Sequence, residues 1–194
     1  MSGRAANPRG WLRRGRPRRV LVLGGARSGK SATAERMLAS SRRVDYVATG
    51  TFPGEDDPAW GERVRIHQQR RPAGWSTFET LDVEQVLSAP DRGVPVLLDC
   101  LATWLAGVMD ECGLWTGEAG AGKALASRVD GLVEAWQASS RHVVAVSNEV
   151  GLGVVPGTFS GVRFRDELGT LNARIAAHSH EVWFCAAGIA RRLR

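Results

Sequence analysis

GGARSGKS, Gly24 to Ser31, follows the apolar run RVLVLGG and precedes an amphipathic stretch. Gly24, Gly29, Lys30 and Ser31 meet the spacing G-x-x-x-x-G-K-[ST], and in that strand-then-helix context the stretch reads as a phosphate cradle. The glycines let the backbone curl so that the amides of Gly25, Ala26, Arg27 and Ser28 point inward, and the following helix turns its positive dipole end to the anion. Lys30 is expected to reach the β and γ phosphates and so to act catalytically, while the Ser31 hydroxyl would ligand Mg2+. Cradles of this kind serve kinases, ATPases, GTPases and nucleotidyl transferases alike, so the motif leaves open which phosphate moves and what receives it.

Outward from the cradle, short apolar runs alternate with longer amphipathic ones. Residues 19–25, 44–50, 94–100, 142–148 and 181–188 are dense in Val, Leu and aromatics with little alternation, as strands covered on both faces are. Helices are expected at 30–40, 57–71, 83–88, 101–111 and 123–139. In a last helix Phe164, Leu168, Leu171 and Ile175 repeat on one face. The Gly-rich residues 113–123 read as a surface loop. This order predicts an α/β fold with a mostly parallel central sheet flanked by helices, of the P-loop NTPase type.

The chain has 194 residues and a net charge of +6. Seven arginines and no acid fall within residues 1–19, which leaves the remainder at −1. Residues 1–18 are therefore expected to be a disordered basic extension and 19–194 one domain, with no nucleic-acid partner for the near-neutral body. A nucleotide-gated protein acting through this Arg-rich tail on nucleic acid is the rival reading from another class. No apolar run reaches the ~18 residues that span a bilayer, so no membrane partner is expected. Cys100, Cys112 and Cys185 show no CxxC spacing and read as small core residues in a reducing, cytoplasmic setting.

Asp99, ending VPVLLD, either holds the metal, usually through water, or caps the helix that starts at Leu101. Thr49-Gly50 and Ser147-Asn148-Glu149 end strands at the edge where ligands bind in open α/β sheets. In ERVRIHQQRRP, Glu62 to Pro72, His67 stands among Arg63, Arg65, Arg70 and Arg71. It is either a solvated residue on a charged helix or, as a neutral imidazole, a nucleophile toward phosphorus. With His67 incidental, the chain reads as an ordinary P-loop small-molecule kinase.

GGARSGKS, the VATGT strand end, RIHQQRRPAGWSTFET, LLDCLATWL and SNEVGLGVVP, in this order, resemble the adenosylcobinamide kinase and adenosylcobinamide-phosphate guanylyltransferase family. The resemblance runs from about Arg19 to the C-terminus. It implies a RecA-like P-loop enzyme that phosphorylates the aminopropanol hydroxyl of adenosylcobinamide with ATP or GTP, then transfers GMP from GTP to that phosphate through a GMP-histidine. His67 occupies the matching H-x-x-x-R-P position, whereas His142, His178 and His180 lie outside it. The nucleotide contacts it implies are Gly24 to Ser31, Ala48, Thr49, Gly50, Gln68, Gln69, Arg70, Arg71, Glu79 and Asp99. Glu79 is placed to read the guanine edge. Residues 147–156 match a loop that would touch corrinoid or phosphate. The resemblance also implies a homotrimer.

Overall fold

The computed structural model describes residues 18–50, 61, 65 and 71–194. The expected strands form as β1 (Arg19–Gly24), β2 (Asp45–Ala48), β4 (Val96–Asp99), β5 (Val143–Asn148) and β6 (Glu181–Ala186). Two more, β3 (Ser76–Glu79) and β7 (Ile189–Arg192), join them in the order β3-β2-β4-β5-β1-β6-β7. The first six are parallel and β7 returns antiparallel to β6. The α/β class read from the sequence is the one found.

The helices with described bounds are α1 (Lys30–Leu38), α2 (Val83–Ser88), α3 (Leu101–Glu111), α4 (Ala121–Ala138) and α5 (Phe159–Ala177). Helix α4 starts two residues before the expected Lys123, behind Gly120 at φ 87, a conformation that costs glycine little. The expected helix 57–71 lies outside the described residues apart from Gly61, Arg65 and Arg71.

Period-2 alternation sorts the strand residues between two cores. Leu21, Val47, Leu98, Ala145 and Val182 face the larger one, roofed by α3, α4 and α5 with Trp104 and Trp136 fully buried. Val20, Val22, Tyr46, Leu97, Val144 and Cys185 face the other, beneath Ala34 and Leu38 of α1. Phe164, Leu168, Leu171 and Ile175 do pack on the first core, as their spacing requires. Cys100, Cys112 and Cys185 are free thiols. Among the described residues no helix is long and apolar enough to cross a membrane.

The two edges of the sheet are treated differently. At the amino edge, Arg141 is 4% exposed and donates to Asp45 Oδ2 at 2.5 Å, Val94 O at 2.8 Å and Val86 O at 3.2 Å, clamping β2 and the loop before β4. Arg18 pairs with the buried Glu181 beside it. Charges there are spent on structure, which leaves the carboxyl edge for chemistry. Removing the buried Arg141 takes its donors from the partly buried Asp45 and from the Val86 and Val94 carbonyls, so Arg141→Ala should lower unfolding free energy by about 2 kcal/mol. Urea denaturation measures this, and an unshifted midpoint would contradict the clamp.

Candidate active site

The cradle is formed by how closely three backbone segments pack. A Cβ on Gly24 would lie 2.4 Å from Ser28 Oγ and 2.6 Å from Cys185 O. Gly29 sits at φ 88, where its missing Cβ would come 3.1 Å from Gly188 Cα, and Gly188 N–H donates to Ser28 O at 3.0 Å. The wall behind the cradle is thus the β6–β7 turn. Ala187 and Gly188, at φ 49 and 78, form its two-residue loop, with both φ values positive as the strand twist favours. Arg27, at φ 54, bends the cradle itself. Lys30 Nζ donates to Gly25 O at 3.1 Å, which holds the ammonium over the loop.

Strand register brings the other sequence-derived positions to the same edge. Ala48 pairs with Glu79 on one side and Asp99 on the other, Asp99 pairs with Val146, and Gly24 pairs with Asn148 and Cys185. Glu79 is exposed at the end of the outer strand. Thr49 is buried, its hydroxyl donating to Cys100 O at 2.7 Å and meeting Thr103 Oγ1 at 2.8 Å, so it fastens the end of β2 to the start of α3. Burial and the neighbouring Asp99 charge push the Cys100 thiol up, which keeps it protonated and inert. Asn148 O accepts from Asn172 Nδ2 at 3.0 Å, and Glu149 N–H donates to Gly24 O at 3.1 Å, tying the β5 loop to the cradle. His67, Gln68, Gln69 and Arg70 lie outside the described residues.

Asp99 does not cap α3, because Cys100 and Thr103 do that in a reciprocal capping box. Its carboxylate accepts instead from Ser31 Oγ at 3.4 Å and from Tyr46 OH at 2.6 Å. Sequence reasoning missed Tyr46, whose only signal is a polar tip inside the apolar run VDYVATG. Burial, and then Asp99, hold its hydroxyl far above the usual phenol range, so it remains a donor. Arg71 lies over the Tyr46 ring, its Cζ 3.7 Å from the centroid, and its Nη1 donates to Thr77 Oγ1 at 3.0 Å. Arg71 is thereby joined to Asp99 through one ring. Ser31 Oγ and Asp99 Oδ1 are hard oxygen donors that suit Mg2+. No group of three His, Cys, Asp or Glu occurs among the described residues that could hold a metal, so most of its ligands would be phosphate oxygens and water.

A parallel sheet with this cradle after β1, and with Ser31 facing a carboxylate at the end of β4, defines a P-loop nucleoside-triphosphate-binding fold. The solved structure of a type III secretion system ATPase from pathogenic bacteria superimposes with a TM-score of 0.51, over 88% of this chain and 51% of that one, at 14% identity. That likeness concerns the fold alone. The family model described as cobinamide kinase / cobinamide phosphate guanyltransferase matches residues 20–193, and the chain belongs to that family of enzymes. Among its relatives, the bifunctional adenosylcobalamin biosynthesis protein CobU of Escherichia coli K12 is 33% identical over 183 residues, 90% of this chain and 99% of the relative. CobP of Pseudomonas aeruginosa, named likewise, is 38% identical over 181 residues, 91% and 97% of the two chains.

Tyr46→Phe keeps the ring and removes one charge-assisted hydrogen bond. The expected result is a roughly tenfold weaker Mg2+ dependence of nucleotide turnover, with a melting temperature within a few degrees of the parent. An unchanged Mg2+ titration would show that Tyr46 does not position Asp99.

Proposed function

We propose that this chain phosphorylates the aminopropanol hydroxyl of adenosylcobinamide with ATP or GTP, then transfers GMP from GTP to that phosphate through a GMP–His67 intermediate, giving adenosyl-GDP-cobinamide. Family membership supports the pair of reactions. The observation that carries the shared site is the chain of contacts Arg71–Tyr46–Asp99–Ser31. Arg71 stands four residues after His67 and lies over the ring of Tyr46, whose hydroxyl donates to the carboxylate that faces the cradle.

In the first reaction the protein positions and neutralises. Lys30 and the amides of 25–31 hold the triphosphate and take up charge that builds on the γ-phosphate as the corrinoid hydroxyl approaches in line. Ser31 and Asp99 would hold Mg2+, which when bound screens the β and γ oxygens. In the second, a neutral His67 nitrogen bonds to the α-phosphorus while the bond to pyrophosphate breaks. An oxygen of the cobinamide phosphate then attacks the same phosphorus, the P–N bond breaks, and His67 is regenerated. Two polyanions need not meet directly. Gln68, Gln69, Arg70 and Arg71 would steady the transferred phosphate, Ala48 to Gly50 the nucleotide at the end of β2, and Glu79 the guanine edge, where N1–H and the exocyclic amine can donate to a carboxylate. In this account residues 19–194 act as one catalytic domain in the cytoplasm, assembled as a homotrimer, and 1–18 are dispensable.

His67→Ala should abolish GMP transfer and leave corrinoid phosphorylation largely intact. The parent protein given α-labelled GTP should retain acid-labile, base-stable label, as a P–N bond does, and the variant none. Equal loss of both activities in a folded variant, or label that survives the substitution, contradicts the assignment.

A further inference from the structure

From Val150 to Val162 the chain carries no charged residue. Within that stretch four large apolar side chains stand out in solvent: Leu152 is 81% exposed, Val154 94%, Val155 61% and Phe159 82%. Val150 before them and Phe164 after them pack on the larger core, so the outward turn is confined to the residues between. Soluble proteins leave closely spaced apolar side chains bare mainly where something docks. We propose that this patch is the docking surface for the macrocycle of the corrinoid acceptor. Leu152, Val154, Val155 and Phe159 lie against one face of the ring system while its hydroxyl arm reaches the cradle. The inference rests on the reading above that a corrinoid is the acceptor, and adds where its ring system sits.

Placement is the first support. β5 lies between β4, which ends at Asp99, and β1, which leads into the cradle. The chain leaving β5 therefore rises between the proposed metal position and the phosphate loop, and Glu149 N–H donates to Gly24 O at 3.1 Å there. Leu152 lines the same cleft as Arg27 and Ser28 of the cradle. The patch thus starts at the rim of the phosphate site, where an acceptor bound on it can extend an arm toward the terminal phosphate.

Order is the second. Gly151 N–H donates to Glu149 Oε1 at 2.6 Å, and Arg165 Nη2 donates to Gly151 O at 3.1 Å. Farther along, Thr158 Oγ1 accepts from Gly161 N–H at 3.1 Å, and a Cβ on Gly161 would lie 2.7 Å from Pro156 Cβ, so the loop packs down on the start of α5. A surface ordered before binding loses less freedom when it is covered.

Extent and polarity are the third. Four such side chains present on the order of 500 Å2, which is within the range of functional patches on single chains. Taken alone, that falls short of the roughly 800 Å2 per partner that a stable protein interface buries. A flat macrocycle edged with methyl groups and neutral amides matches the patch in size and in its lack of charge. A lipid surface would call for basic residues among the apolar ones, and 150–162 has none.

The test uses full-length protein and reads binding rather than turnover. Adenosylcobinamide is titrated by calorimetry into the parent, Val154→Ser and Phe159→Ser, with the Mg2+ complex of β,γ-imido-GTP as the second ligand and sedimentation velocity to count subunits. Both positions are exposed, so serine there leaves the core untouched. Each substitution should weaken adenosylcobinamide about tenfold, change β,γ-imido-GTP by less than about twofold, and keep the subunit number of the parent. Corrinoid affinity unchanged in both variants overturns the inference, and so does equal weakening of the imido nucleotide. A smaller assembly in either variant marks the face as a contact between copies and overturns it as well. A parent that binds no adenosylcobinamide refutes the proposed function together with the patch, whereas binding that survives both substitutions refutes the patch alone.

Discussion

The closeness of the cradle to the β6–β7 turn is the constraint on which the rest of the site depends. A Cβ on Gly24 would strike Ser28 and the Cys185 carbonyl, one on Gly29 would crowd Gly188, and the Gly188 N–H to Ser28 O bond locks the loop to the hairpin. Backbone amides can converge on a phosphate only when the loop is held in this curled form, because otherwise ordering it would consume the binding energy. A rigid wall from the sheet itself supplies that order before any ligand arrives. It also fixes where Lys30 and the start of α1 stand relative to β4.

Charge is distributed to match. The Arg141–Asp45 and Arg18–Glu181 pairs close the amino edge, and at the carboxyl edge Asp99 faces the cradle, held by the hydroxyls of Ser31 and Tyr46. Tyr46 carries that restraint across the sheet to Arg71, so the strand that supplies a hydrogen bond to Asp99 also supplies the ring under the Arg71 guanidinium. The cradle residue Ser31 and Arg71 are therefore joined through Asp99 and Tyr46.

Much of this was legible in the sequence because it is carried by local chemistry. The cradle spacing, the five apolar runs and the α5 stripe each state their structure within a few residues, and Asp99 ends an unbroken apolar run. Strands β3 and β7 were not legible. STFE is exposed at all four positions and IARR is half charged and mostly exposed, so neither shows the buried-strand pattern, and both exist only because a neighbouring strand offers its edge. Tyr46 escaped for a related reason: its partner Asp99 is 53 residues away, and nothing in either segment announces the other. The same holds for the Ala187-Gly188 turn, whose importance to the cradle lies in a clearance rather than in a residue type.

The central claim is that one cradle serves cleavage at both ends of a triphosphate, and it is tested most directly by supplying adenosylcobinamide with GTP labelled separately at the α and γ positions. The account predicts γ label on the corrinoid first, as the monophosphate, followed by α label in adenosyl-GDP-cobinamide with release of pyrophosphate. Transfer of the γ label alone, with no α label reaching corrinoid or protein, would contradict it.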